Sequence, residues 1–550
     1  MIRNVVRRPL CAARVAARTV ALGVAFNAAL GIAALALPFA STLRAQAAGS
    51  AVTSPDAKAQ AVREWREQHE VEIVRELNTL LALPNRANDA TGIKRNADII
   101  RTMLARRGLS ARLIANGPYP PAVYGELLTL GATRTVMFYA HYDGQPVSPE
   151  EWSSAPYKPT LRTAPNADGS PGAERVPPMT GQFDPEGRIY ARSSSDDKAP
   201  IIAMLAAIDA IRATGQKPDA NLKFFFEGEE EAGSAHLSNV LTQNKELLAA
   251  DVWLICDGPA HQSRDLQIVF GVRGTMGLDA TVYGPARALH SGHYGNWAPN
   301  PAIMMTELIA SLRDTDGKIL VDHFYDDVVP PTAADLAAAR ALPPVEAELR
   351  RSLLLGATEA DNAALAERIM LPALNLHGIK VGEVGALSTN SVPTEARATF
   401  DFRLVADQRP ERIRALVEAY LTARGWYVVH DTPTADERLE HARVVRLDWG
   451  GGYPAYRLSM DAPAGAALRR VVSGTIGKEV LVLPTLGGSV GLADIYSVVG
   501  VPLITFPTVN HDNSQHAKDE NIRLQNIWDA IEVFAGVMTK FGTEWRQTVP

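Results

Sequence analysis

In five places this chain clusters carboxylates or imidazoles, each time just after an apolar run of strand length or at the opening of a helix beside one. His141-Tyr142-Asp143-Gly144-Gln145-Pro146 follows the run 135–140. Ser195-Asp196-Asp197-Lys198 opens a helical segment at 199–214. Glu227-Gly228-Glu229-Glu230-Glu231-Ala232-Gly233-Ser234 follows Phe224-Phe225-Phe226, and Cys256-Asp257-Gly258 follows 252–255. His511 and His516 come after 502–506. Apolar runs alternating with helical segments predict an α/β domain with a largely parallel sheet. In open sheets of that kind, ligands gather at the carboxyl ends of the strands. The pattern therefore places the reactive groups of distant segments at one sheet edge.

Each cluster also has a plainer explanation. His141 beside Asp143 could be a solvated loop pair, although an imidazole is a good zinc ligand and Asp143 could accept its other ring N–H. One of Asp196 and Asp197 could cap the following helix, but capping explains one carboxylate and a cation explains two. The glutamate run could be a surface charge run. At the end of so apolar a strand, however, its carboxylates need compensating positive charge.

The length of 550 residues, 46% of them hydrophobic, allows more than one domain. A helical pattern over 58–82 (Val62, Trp65, Ile73, Leu77, Leu80) and another over 92–107 precede the first strand. Residues 146–190, rich in Pro, Gly and Asp, read as an extended loop or hairpin. From 273 the pattern becomes α+β: a strand at 276–283, a helix at 300–312, a helical insertion over 332–369, a strand at 396–404 and a helix at 409–424. Segments 464–476 and 481–483 return to the α/β pattern. The expected organisation is a leader over 1–47, a catalytic domain in two parts (48–272 and 456–550), and an inserted lid or dimerisation domain over 273–455.

The leader reads as an export signal. Arg3, Arg7, Arg8, Arg14 and Arg18 precede an apolar, Ala-rich stretch, and Ala45-Gln46-Ala47 fits a small-x-small cleavage site. An uncleaved anchor is the alternative, and the Arg7-Arg8 pair also permits twin-arginine export. Cleavage would remove six arginines and no acid, taking the formal net charge from −6 to −12. That balance, with no basic run beyond the leader, excludes a nucleic-acid binder. It would also leave Cys256 as the one cysteine, so no intrachain disulfide could form. The expected location is secreted or periplasmic, with no stable membrane span after cleavage.

The His-x-Asp, Asp-Asp-Lys and Glu-Glu-x-Gly-Ser motifs, in this order, resemble the di-zinc metallopeptidases and deacylases that include carnosinase, carboxypeptidase G, succinyl-diaminopimelate desuccinylase and acetylornithine deacetylase. The resemblance covers about 60–545, and the His141 and Glu227 motifs lean to the carnosinase-like dipeptidase branch. It implies that His141 and Asp257 hold one divalent ion, Glu231 and His516 a second, and Asp196 bridges them. Zinc comes first, with cobalt or manganese as alternatives. It further implies Glu230 as general base, with Asp143 supporting the ligand His141. Ala232-Gly233-Ser234 sets the register of the triple Glu. His516-Ala517-Lys518-Asp519-Glu520 matches the family's motif better than His511 does, although His511 stays open as the ligand.

In the inserted segment, His290-Ser291-Gly292 resembles the family's histidine that reaches the active site from a partner subunit, which implies a homodimer. A turn histidine is the plainer explanation. Asn390-Ser391-Val392-Pro393-Thr394-Glu395-Ala396, running on to Arg403, and Gly487-Gly488-Ser489 resemble substrate-binding stretches. Asn390, Gly488 and Ser489 would then contact substrate, and Arg403 would take its terminal carboxylate. An outward strand arginine is the alternative. The expected reaction is hydrolysis of amide bonds in dipeptides or small peptides, of dipeptidase or carboxypeptidase type. The alternative substrates are N-acyl amino acids. A non-catalytic periplasmic binding protein would need a missing base or ligand, and a structural zinc site would favour cysteines.

Overall fold

The structure is a computed structural model that describes residues 56–548; the leader expected over 1–47 lies outside the described residues. The main sheet has eight strands, in the spatial order Ser110–Asn116, Tyr119–Leu127, Asn221–Glu227, Thr135–His141, Val252–Ile255, Leu503–Thr505, Gln267–Val269, Leu481–Leu483. Its central run from Asn221–Glu227 to Leu503–Thr505 is parallel. Antiparallel pairing enters at the edge formed by the first two strands. A single antiparallel pair, Thr505 with Val269, joins the central run to the last two strands.

Both faces of this sheet are covered, because its strands are apolar at successive positions rather than alternate ones. Phe138, Phe224 and Phe226 point to one face, where they join the helices Ala57–Leu81, Lys198–Ala213 and Leu524–Thr548. Met137, Tyr139, Phe225 and Trp253 point to the other, against Leu237–Gln243 and Leu492–Val499. Lys198–Ala213 is apolar on nearly every side and is accordingly buried along most of its length.

A second, five-stranded sheet runs in the order Ala373–Lys380, Glu395–Leu404, Gly274–Tyr283, Val444–Tyr453, Tyr427–Val429. Its core packs one face against Pro301–Leu312 and Pro410–Ala423. The insertion holds the helices Ala333–Arg340, Glu346–Ser352 and Leu365–Arg368. The Pro- and Gly-rich 146–190 stretch contributes Thr160–Arg162 and Arg188–Tyr190, paired antiparallel, with Asn521–Arg523 as the third strand of a small sheet. Among the described residues, no helix is long and apolar enough to cross a membrane.

The strands read from sequence lie within a residue or two of those observed. Among the elements the sequence pattern does not announce are the strands Ser110–Asn116, Tyr119–Leu127 and Val444–Tyr453 and the helix Leu524–Thr548.

Candidate active site

His141 is the last residue of its strand, and its side chain is fully buried. Its Nε2 lies 2.9 Å from Asp196 Oδ1, 3.9 Å from Asp257 Oδ2 and 4.0 Å from Glu230 Oε2. Its Nδ1 lies 3.3 Å from Asp143 Oδ1. Asp143 also accepts the backbone N–H groups of Glu230 (3.1 Å) and Glu231 (3.0 Å). One buried carboxylate thus ties the imidazole to the glutamate turn, a link that spacing alone does not reveal.

Asp196 and Asp197 precede the helix Lys198–Ala213 and are joined by a cis peptide bond. Asp197 occupies the N-cap position, but its side chain caps nothing. Asp197 Oδ2 accepts the His141 backbone N–H at 3.3 Å, and Oδ1 is buried with no hydrogen-bond partner among the described residues. The plain capping explanation therefore fails here.

The turn holding Asp196 is shaped by a residue to which the sequence reading gave no role. Glu520 is fully buried and accepts hydrogen bonds from the backbone N–H groups of Ser193, Ser195 and Asp196 and from Ser195 Oγ. Arg192 Nη1 balances its charge at 2.7 Å. The usable signal was its place four residues after His516, in the same motif.

On the other side of Asp196, His516 Nε2 lies 3.2 Å from Asp196 Oδ2 and 3.2 Å from Glu231 Oε2. Gln145 Nε2 donates to the same Glu231 oxygen at 2.7 Å. The ligand atoms fall into two groups within 4.8 Å: His141, Asp197 and Asp257, and Asp196, Glu231 and His516. Asp196 reaches an imidazole with each of its oxygens, His141 through Oδ1 and His516 through Oδ2, so it lies between the groups. Asp197 joins the first group beside the two residues expected there. His511 lines the same cavity but belongs to neither group.

The electrostatics of this cluster call for positive charge. Burial, reinforced by Asp196 and Glu231, pushes Asp257 up to about 7. Burial also raises Glu230 well above the carboxylate range, helped by Asp257, Glu231 and Asp196. Burial would raise Asp196 too, but its hydrogen bonds to His141 and His516 outweigh that and hold it below the usual range. The Asp196 and Glu231 carboxylates in turn lift His516 to about 10. Two imidazoles among this many buried carboxylates, with one oxygen unpartnered, form a donor set suited to divalent cations.

A cavity of about 1000 Å³ opens over the cluster. Asp196, Glu230, Asp257 and His516 line one end, and Arg403, Gly488 and Ser489 line another part of its wall. Arg403 Nε donates to Asp401 Oδ2 and Nη1 to Ser489 Oγ, each at 2.8 Å. Behind them, Arg273 Nε donates to the Gly487 carbonyl at 2.9 Å, and burial beside Arg403 lowers its pKa to about 10. His290 and Asn390 do not line this cavity. Both are exposed at the two-stranded ribbon Leu289–His290/Ser391–Val392, where His290 Nδ1 accepts the Gly292 N–H at 3.1 Å. The structure thus brings the expected metal, base and arginine positions together within one chain and leaves these two apart.

A covered α/β sheet with paired carboxylate–imidazole clusters at the carboxyl ends of its strands defines a metal-dependent hydrolase. The chain belongs to the peptidase family M20/M25/M40, whose pattern matches residues 137–540. Beta-Ala-His dipeptidase of Homo sapiens is 27% identical over 428 residues, covering 76% of this chain and 77% of that relative. Cys-Gly metallodipeptidase dug1 of Schizosaccharomyces pombe is 27% identical over 312 residues, covering 56% of this chain and 60% of that relative. Among solved structures, the M20 family metallo-carboxypeptidase Sso-CP2 of Sulfolobus solfataricus superposes with a TM-score of 0.70 at 25% identity, over 86% of this chain and 99% of that one. Human carnosine dipeptidase 1 shares the fold, with a TM-score of 0.69 at 23% identity over 90% of this chain and all of that one.

Proposed function

We propose that this protein hydrolyses the amide bond of dipeptides or other small peptides by activating a water with a glutamate base beside two divalent ions. The observation that carries the reading is the pair of ligand groups meeting at Asp196, on the floor of a cavity that also holds an arginine. The expected ligands are His141, Asp196 and Asp257 for one ion and Asp196, Glu231 and His516 for the other, with Asp197 close enough to the first to support it. Bound there, two divalent ions, zinc first, would supply Lewis acidity to the water and to the substrate carbonyl.

Glu230 lines the cavity and lies 4.0 Å from His141 without being a member of either ligand group, which suits a group that moves protons. Its carboxylate takes the proton of the attacking water and passes it to the leaving amine. Asp143 holds the imidazole of His141 and the Glu230–Glu231 turn in one geometry. Arg403, steadied by Asp401 and Ser489, receives the substrate's terminal carboxylate. His290, with Asn390 beside it, would complete the oxyanion site of a second copy, making the working form a homodimer. Export after cleavage at Ala47 would place the enzyme outside the cytoplasm.

The test is mass-spectrometric detection of cleavage by the purified protein on dipeptides, longer peptides and N-acyl amino acids, with and without chelator. Chelator-sensitive cleavage of dipeptides is the expected result. Cleavage of N-acyl amino acids alone would replace the peptidase reading with a deacylase one.

A further inference from the structure

The insertion between the helix Pro301–Leu312 and the strand Ala373–Lys380 does more than decorate the surface. Its first helix, Ala333–Arg340, begins with a reciprocal Thr332–Asp335 capping box. Asp335 also pairs with Arg457, which fastens that helix to the body of the molecule. Arg340 Nε reaches Glu367 Oε1 at 2.7 Å, and Glu346 accepts the Leu365 N–H at 3.1 Å, so the insertion's helices are tied to one another.

The face so held turns mostly apolar side chains into the cavity, with Arg340 and Glu346 as its charged members. Leu342, Pro343, Val345, Leu365 and Ile369 line it, and none of them is fully buried. Leu365 keeps 40% of its surface exposed. The wall begins next to the arginine end of the cavity: a Cβ placed on Gly487 would meet Ile369 Cγ2 at 3.3 Å, and Ser489, two residues on, accepts from Arg403. A substrate whose terminal carboxylate is held by Arg403 would therefore lay the side chain of that same residue against Ile369 and Leu365.

We propose that the insertion is a specificity-determining wall that selects substrates carrying an apolar side chain on the residue bearing the terminal carboxylate. The proposal rests on the peptidase reading above and names the substrate class for that site. Covering partly exposed leucine and isoleucine removes apolar surface from water, and even one methylene in such a pocket changes selectivity by about 10- to 200-fold.

The experiment compares kcat/KM on Ala-X peptides, with X as Leu, Phe, Gly, Asp and Lys, for the wild-type chain and for Leu365→Ala and Ile369→Ala. The corresponding N-acetyl-X series is run beside it. The wild-type chain is expected to prefer Leu and Phe over Asp and Lys by about tenfold or more, and each variant to reduce the Leu-to-Gly ratio several-fold. Leu365 is exposed enough that its variant keeps the fold, so the test stands even if Ile369→Ala is unstable. Chelator-sensitive cleavage of Ala-X with the same ratio in wild type and variants overturns the wall and leaves the peptidase reading. Cleavage of the N-acetyl-X series alone, with an apolar preference lost in the variants, overturns the peptidase reading and keeps the wall. Turnover of neither series overturns both.

Discussion

Glu230 and Asp512 answer to opposite influences. Burial and neighbouring carboxylates raise Glu230 above the usual carboxylate range, and its place on the cavity wall outside both ligand groups suits a proton carrier. Replacing it with Gln keeps the shape and removes the proposed base. Glu230→Gln is expected to lower kcat by about 10²- to 10⁴-fold while the metal content, read by atomic emission on the purified variant, stays at the wild-type level. Loss of metal in that variant would make Glu230 a ligand and move the base role elsewhere. Asp512, by contrast, is held at about 2 against an ordinary 3.8; burial opposes this, but the hydrogen bond and charge of Arg188 prevail. A depressed carboxylate contributes stability that is complete above its unfolded pKa and is lost as pH falls through the folded one. The Asp512–Arg188 pair should therefore stabilise the protein above pH 3.8 and fade towards pH 2. Chemical denaturation of Asp512→Asn should show a shallower loss of stability over that window than the wild type; parallel curves would remove the pair from the acid limb.

At the scale of elements, the site depends on strands that are buried on both faces. Phe224 is fully buried and stacks on Phe138 with ring centroids 5.3 Å apart. Phe224→Ala should cost about 3–5 kcal/mol, read as a shift of the denaturation midpoint at unchanged slope, and it empties space three residues from Glu227, the last strand position before the glutamate turn. Such strands are also why the central sheet was legible: four apolar runs ending in His141, Glu227, Asp257 and the 511–516 segment announce both their length and their direction. The strand Ser110–Asn116 was not legible because it lies at the sheet edge, partly exposed and with mixed residues, and Tyr119–Leu127 because two prolines and a glycine interrupt its apolar residues. The helix Leu524–Thr548 mixes its apolar face with charges such as Glu532, which pairs with Arg63 and Arg66 of the first helix. At the site, the motif resemblance pointed to His141, Asp196, Glu230, Glu231, Asp257 and His516, and the structure draws these side chains into one cluster. Glu520 escaped because most of its partners are backbone N–H groups, which a sequence does not display. Asp197 was seen but given no role, since adjacency alone cannot tell which carboxylate of a pair faces which imidazole.

For the whole molecule, the candidate ligands come from five separated segments, so divalent ions bound there would join the folded chain across its sequence. Removing them leaves Asp196, Asp197, Asp257, Glu230 and Glu231 crowded, with two imidazoles as the nearby cations of the cluster. Ions at a hundred times their dissociation constant stabilise the native state by about 2.7 kcal/mol, so chelation should lower the thermal midpoint and readdition of zinc should restore it. An unchanged midpoint would show that the clusters do not hold ions in the native protein. The assembly can be tested without solving it. His290 lies outside the cavity of its own chain, so if it serves a neighbour's cavity, two defective chains can repair each other. In a mixed dimer of Glu230→Gln and His290→Ala subunits, one cavity combines an intact Glu230 with the partner's intact His290, and the other cavity has neither. Random pairing in a two-fold dimer makes half the dimers mixed, so co-expression should recover about a quarter of the wild-type activity from two nearly inactive variants. Activity no greater than the sum of the two parents would confine each site to its own chain and leave His290 as a turn residue of the ribbon.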